Sequence, residues 1–169
     1  MNLAVRPASG QDSGAPRLPG SLQANRRLSQ WLRICADGVV EVFSGKVEIG
    51  QGITTALAQI VAEELDVALD RIRMVPASTA HSPDEGVTSG SLSIQESGSA
   101  LRYACAEARA IYVAAAAVRL GVAHEQLRVE DGALIVVSGT ASGARTSYWQ
   151  LADDELLSRE ANGAAAPKP

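Results

Sequence analysis

An α+β fold, β-β-α-β-α-β-β with two helices packed on a small, mostly antiparallel sheet, is predicted by three features of the sequence. Two Asp-Gly dipeptides, at 37–38 and 131–132, each separate short apolar runs, the pattern of hairpins. Two longer stretches carry apolar residues at helical spacing. The 169-residue length, with 46% hydrophobic, 20% charged and 4% aromatic residues, suits one core of Ala, Val, Ile and Leu.

Residues 1–27 are rich in Gly, Pro, Ser and Ala without periodicity and are expected to form a flexible arm. Residues 31–36 and 39–44 flank Asp37-Gly38 and read as the first hairpin. From Gln51 the period changes: Ile53, Leu57, Ile60, Val61 and Leu65 form one stripe, so a helix is expected to end near Asp66. Residues 71–76 read as a strand and 78–91 as a polar, turn-rich passage. The longest helix is expected over 94–120, Ala-rich and stopped by Gly121. Residues 127–130 and 133–137 flank Asp131-Gly132 as a second hairpin with the same turn chemistry, and 147–157 read as a short last helix. The domain is thus expected to span 28–160, with a linker opening at 161–169.

Charge and composition exclude several function classes. Fifteen Lys and Arg against 19 Asp and Glu give a net charge of −4, and no basic run is present, which argues against nucleic acid or an anionic membrane as partner. The apolar run 110–118 is far short of the roughly 20 residues a membrane helix needs, and it reads as a buried helix face. Arg26-Arg27 is followed by Trp31-Leu32-Arg33 and Asp37 rather than an apolar stretch, so no export signal is read there and a cytoplasmic location is expected. Cys35 and Cys105 are far apart and read as reduced thiols, and His81 and His124 have no neighbours at ligand spacing, so no protein-held metal is expected.

The segment Gly45-Lys46-Val47-Glu48-Ile49-Gly50-Gln51-Gly52 stands between a strand and a helix. It is no phosphate loop of the Walker type, because Gln51 and Gly52 follow Gly50 where Lys and Ser or Thr are needed. Glycines beside Gln51 would let a ligand approach the backbone, and the carboxamide offers both a donor and an acceptor. Spacing alone favours an ordinary glycine-assisted helix start over a ligand site. A second such segment, Thr88-Ser89-Gly90-Ser91-Leu92-Ser93, opens the long helix with more small and hydroxylated residues than one cap requires. Side by side, two such openings would make a pocket of N–H donors for a phosphate or a pterin edge. Glu48 reads as a wall of that pocket or a solvated charge. Glu63-Glu64 and Asp84-Glu85 are adjacent pairs without acid–base geometry, and Ser91 and Ser93 lack a His partner, so no catalytic residue is assigned.

Together with Thr54-Thr55-Ala56-Leu57-Ala58-Gln59-Ile60 and Pro83-Asp84-Glu85-Gly86-Val87-Thr88-Ser89-Gly90-Ser91, these motifs resemble the molybdopterin-binding large subunit of the xanthine dehydrogenase and aldehyde oxidase family, in particular the branch of isoquinoline 1-oxidoreductase beta subunits. The resemblance covers nearly all of residues 28–169. It implies a partial molybdopterin-binding domain of a molybdenum hydroxylase, an oxidoreductase that hydroxylates aldehydes or N-heterocycles using water. The implied cofactor contacts are Ile49, Gly50, Gln51, Gly52, Gly90, Ser91, Leu92 and Ser93. The implied cofactor is molybdenum–molybdopterin, in its monophosphate or cytosine dinucleotide form. The remaining large-subunit domains and a small subunit carrying [2Fe-2S] clusters would be partners to a small-molecule substrate. Ser78 stands where this pattern often has Asp, and Leu92 where a longer polar residue is common. The family's catalytic Glu, in a Gly-rich segment, has no counterpart here. The alternatives are a catalytically silent module acting in assembly and, third, a small binder of phosphate ligands.

Overall fold

The structure, a computed structural model, describes residues 16–153 and 155–169. Strands β1 (Leu32–Ile34) and β2 (Val40–Phe43) pair antiparallel, Leu32 opposite Val42 and Ile34 opposite Val40. Helix α1 (Ile53–Leu65) then carries the chain across so that β3 (Ile72–Val75) lies parallel to β2, Val40 opposite Ile72. A parallel pair needs such a crossover, whereas hairpins do not. Helix α2 (Ser99–Leu120) is entered through a π-turn, Ile94–Gly98. Strands β4 (Leu127–Glu130), β5 (Ala133–Val136) and β6 (Arg145–Ser147) form a second, antiparallel sheet.

The α+β class and element order agree with expectation, but the strands divide between two three-stranded sheets. β6 and one 3-10 turn, Trp149–Leu151, stand where a last helix was expected at 147–157. The hairpin turns also differ. Asp131 and Gly132 both adopt positive φ, 46° and 73°, as a two-residue turn requires. In the first hairpin Gly38 N–H donates to Cys35 O while Cys35 N–H donates to Val39 O, which makes a three-residue loop.

The helices pack through small residues. Ala100, Ala104, Ala108 and Ala116 recur on the buried side of α2, which lets the backbones approach, while Leu57, Val61 and Leu65 of α1 fill the core beside them. Three of the few aromatics sit at its centre: Tyr112 meets Tyr148 edge-on at 5.3 Å, the Tyr148 hydroxyl donates to Leu65 O at 3.1 Å, and Trp31 Nε1 donates to Asn25 O at 2.7 Å. The apolar run 110–118 is not a wholly buried face: Tyr112 and Ala116 are buried, but Val118 is 85% exposed. Cys105 is buried and Cys35 half-buried, both as free thiols. No helix among the described residues is long and apolar enough to cross a membrane.

The expected boundaries at 27 and 161 are corrected where the chain is described. Leu18 and Leu22 are buried in the core, and the 3-10 turn Gly20–Gln23 rests against the π-turn, so an arm through residue 27 does not describe 16–27. The first fifteen residues lie outside the described part. At the other end Ala161 is buried, and Glu107 of α2 accepts the N–H groups of Asn162 at 3.0 Å and Gly163 at 2.6 Å, so 161–169 lie along the helices.

Candidate functional site

β2 ends at Phe43 and delivers residues 44–52 to the start of α1. Ser44 and Lys46 are buried, whereas every residue from Val47 to Gly52 is exposed, so the segment emerges from the core as a loop. Gly50 and Gly52 have φ of 95° and 77°, a region that side chains with a Cβ rarely adopt. A Cβ built on either would meet nothing within 4 Å, so the backbone of this loop faces open space.

The loop's own donors are largely used. Glu48 Oε1 accepts the N–H groups of Gly50 at 2.7 Å and Gly52 at 3.0 Å, and its Oε2 accepts that of Thr54 at 3.1 Å. Gln51 Oε1 accepts the Ile49 N–H at 2.6 Å while its Nε2 donates to Val47 O at 2.9 Å. The expectation of an open, amide-lined start to α1 is therefore corrected: a carboxylate of the chain itself occupies that end of the helix dipole. Glu48, exposed to solvent, caps the start of α1.

The three N–H donors hold the Glu48 carboxyl below its ordinary range, Gly52 and Thr54 contributing most. A depressed folded value means that the capped start is complete above the ordinary glutamate range and is lost as pH falls through the depressed value. In an acid titration the amide protons of Gly50, Gly52 and Thr54 are expected to shift together, with a midpoint below the ordinary glutamate range. Glu48→Gln should abolish that joint titration, and three independent or unshifted profiles would rule the cap out.

The second segment turns sharply. Gly90 and Ser91 both have positive φ, 66° and 59°, and Leu92 N–H donates weakly to Ser89 O at 3.4 Å. No side chain caps the following turn at Ser93. Gly90, Ser91 and Leu92 are exposed and Ser93 half-buried. The π-turn after them is wider than an α-turn, a feature found often at functional sites.

The two segments are stitched together. Val47 N–H donates to Thr88 Oγ1 at 2.9 Å, and each of these residues stands two positions ahead of its own candidate stretch. Lys46 Nζ donates to Glu85 O at 2.7 Å and to Val87 O at 3.4 Å. Glu85 Oε2 accepts from Ser44 Oγ at 2.9 Å, Gly45 N at 2.7 Å and Ser97 Oγ at 3.1 Å. Asn25 holds the same passage, donating to Asp84 O and accepting from Asp84 N.

Sequence reasoning missed Glu85, Lys46, Ser44 and Ser97. Asp84-Glu85 reads as a solvated loop pair because adjacency shows nothing about which of two carboxylates turns inward. A lysine after glycine carries no mark of burial either. The apolar residues around the segments are unusually bare, Ile49 at 76% and Val87 at 79% exposed, with Leu92 and Ile94 about half so.

The family model of the molybdopterin cofactor-binding domain matches residues 12–166. A nicotinate dehydrogenase chain of Pseudomonas putida is 44% identical over 138 residues, covering 78% of this chain and 12% of that protein. The beta chain of isoquinoline 1-oxidoreductase from Brevundimonas diminuta is 36% identical over 128 residues, 72% of this chain and 16% of that one. Among solved structures, reconstituted CO dehydrogenase from Oligotropha carboxidovorans superposes with a TM-score of 0.62 at 28% identity, over 71% of this chain and 15% of that chain. Quinoline 2-oxidoreductase from Pseudomonas putida 86 gives 0.55 at 27% identity, over 75% and 15%. The chain thus spans a small part, 12% and 16%, of the two curated relatives.

Proposed function

The chain belongs to the molybdopterin cofactor-binding domain family, and from that premise we propose that its two stitched segments form one part of a cofactor pocket in a molybdenum hydroxylase. Ile49, Gly50, Gln51 and Gly52 on one side and Gly90, Ser91, Leu92 and Ser93 on the other are the contacts. The observation that carries the reading is the open backbone at Gly50 and Gly52, where any Cβ would fill space against which a flat ring system can lie. The match to a cofactor-binding family favours this over a silent assembly module.

The residues present fit a molybdopterin. Since Glu48 already neutralises the start of α1, the anionic end of the cofactor belongs with the uncapped turn at Gly90, Ser91 and Ser93, whose hydroxyls and N–H groups are donors. The loop held by Glu48 and Gln51 offers the ring its exposed backbone edge and Ile49. Bound molybdenum–molybdopterin supplies the two-electron redox chemistry by which such enzymes oxidise aldehydes or electron-poor N-heterocycles with water. The chain's own part is to bind, orient and shield, and no catalytic residue is assigned to it. Further large-subunit domains would close the pocket over the bare apolar residues, and a small subunit with [2Fe-2S] clusters would take the electrons. The cytosine dinucleotide form of the cofactor and a cytoplasmic location belong to the same proposal.

The test uses the full protein with its native partner subunits, assayed for molybdenum by mass spectrometry and for pterin by fluorescence after oxidation. Gly90→Val, which puts a branched side chain at a φ of +66° in the second segment, and Gln51→Ala, which removes the two hydrogen bonds that close the first loop, should each lower pterin retention roughly ten-fold. Wild-type retention in both variants would overturn the proposal, as would stoichiometric cofactor on the isolated chain.

A further inference from the structure

Glu85 is held in a way that a loop carboxylate does not need. Its Oε2 collects three donors, from Ser44 and Gly45 at the end of β2 and from Ser97 in the π-turn. Ser44 Oγ also lies 3.0 Å from Ser97 Oγ and accepts the Lys46 N–H at 3.0 Å, so both hydroxyls are fixed. The other oxygen, Oε1, is buried and accepts no hydrogen bond from the described residues. A buried acceptor without a donor is destabilising, so a carboxylate kept there calls for a reason beyond stability.

The reason lies in what Glu85 joins. Its bonds reach the strand end that launches the first candidate segment and the π-turn into which the second one leads. Backbone proximity enforces the same spacing: a Cβ on Gly45 would lie 2.5 Å from Pro83 O. Lys46, only 8% exposed, adds to this by donating to the carbonyls of Glu85 and Val87. Neither residue belongs to the exposed contacts themselves.

We propose that Glu85, clasped to Ser44, Gly45 and Ser97 and backed by Lys46, is a positioning residue that sets the gap between the two cofactor-contacting segments. The inference rests on the function proposed above and adds residues to it that touch no ligand. A binding surface built from two loops needs its supporting contacts as much as its first contacts, because small misplacement weakens every bond at once.

The test again uses the full protein in its native complex and reads two quantities, the rate of pterin loss on dialysis and the melting temperature of the cofactor-free protein. Glu85→Ala and Lys46→Met should lose pterin roughly ten-fold faster than wild type, while Glu85→Gln, whose carboxamide oxygen still accepts all three donors, should stay within about two-fold. Asp131→Ala, which breaks the ion pair between Arg71, just before β3, and the turn that joins β4 and β5, is the control: its melting temperature should fall without faster pterin loss. Wild-type retention in Glu85→Ala overturns the proposal, and so does loss in Glu85→Gln as large as in Glu85→Ala, or equal loss in Asp131→Ala. If Glu85→Ala does not fold, Lys46→Met and Ser97→Ala carry the same expectation. Gly90→Val separates the two readings: faster loss there with none in the Glu85 variants sinks the clasp alone, and no loss in either sinks the cofactor site itself.

Discussion

Gly20→Ala should lower the stability of the chain by about 3 kcal/mol, a large fraction of the roughly 5–15 kcal/mol by which a domain is stable. Gly20 has φ of +53°, where an L-residue with a Cβ is disfavoured by about 1–2 kcal/mol. The added methyl would also lie 2.2 Å from Glu96 O and 3.1 Å from Gln95 O, both backbone atoms of the π-turn. Glu96 O cannot swing away, because it accepts the Ser99 N–H at the entry to α2. Relief must come from the segment that carries buried Leu18 and Leu22, and overpacking of this kind adds about 1–3 kcal/mol. Urea denaturation should show a lower midpoint at unchanged slope. A change below about 0.5 kcal/mol, the scale of ordinary surface substitutions, would mean that residues 16–23 do not dock on the π-turn.

That docking was illegible in the sequence for a definite reason. Short polar and Gly-rich stretches bury few side chains, so composition reads them as an arm, and scattered leucines in such a stretch give no period to detect. The helices and the five expected strands were legible because their burial recurs at 3.6 or 2 residues, and Asp-Gly marks both turns. Even so, the same dipeptide yields a two-residue turn at 131–132 and a three-residue loop at 36–38, since the flanking register, not the dipeptide, decides loop length. The sixth strand, only three residues long, is defined by its partner β5 rather than by any pattern of its own.

The candidate site divides along the same line. The glycines and hydroxyls of both segments stand out in sequence because their backbone demands are local. What brings the segments together is long-range: Glu85 reaches Ser44 across 41 positions and Lys46 reaches Glu85 O across 39. The opposite error arises at Glu48, whose partners are only two to six positions away. An acidic residue just before a Gly-Gln-Gly helix start could have been read as its cap on dipole grounds alone.

Glu64→Ala should cost about 3 kcal/mol, for a different physical reason than Gly20→Ala. Glu64 is charged yet only 2% exposed, and its carboxylate ties three elements: Arg102 Nε lies 3.2 Å and Arg109 Nη2 3.8 Å away on α2, while the Lys168 N–H donates from the tail at 3.0 Å. Arg102 is about half exposed, so that pair is screened and contributes little. Arg109 is the decisive partner, with its side chain 19% exposed and Nη1 donating to Glu64 O at 3.0 Å. Removing the carboxylate leaves that guanidinium half-buried with a carbonyl but no countercharge, and breaking a buried pair in this way costs about 3–5 kcal/mol; partial exposure places the expectation at the lower end. The cause can be isolated. In a cycle with Arg109→Ala, the double variant should recover roughly 1 kcal/mol or more relative to the sum of the single ones, because removing both charges leaves neither stranded. Additivity within about 0.5 kcal/mol would assign the loss to packing between α1 and α2 instead, since side chains in contact but without charge coupling would leave the arginine indifferent to its partner.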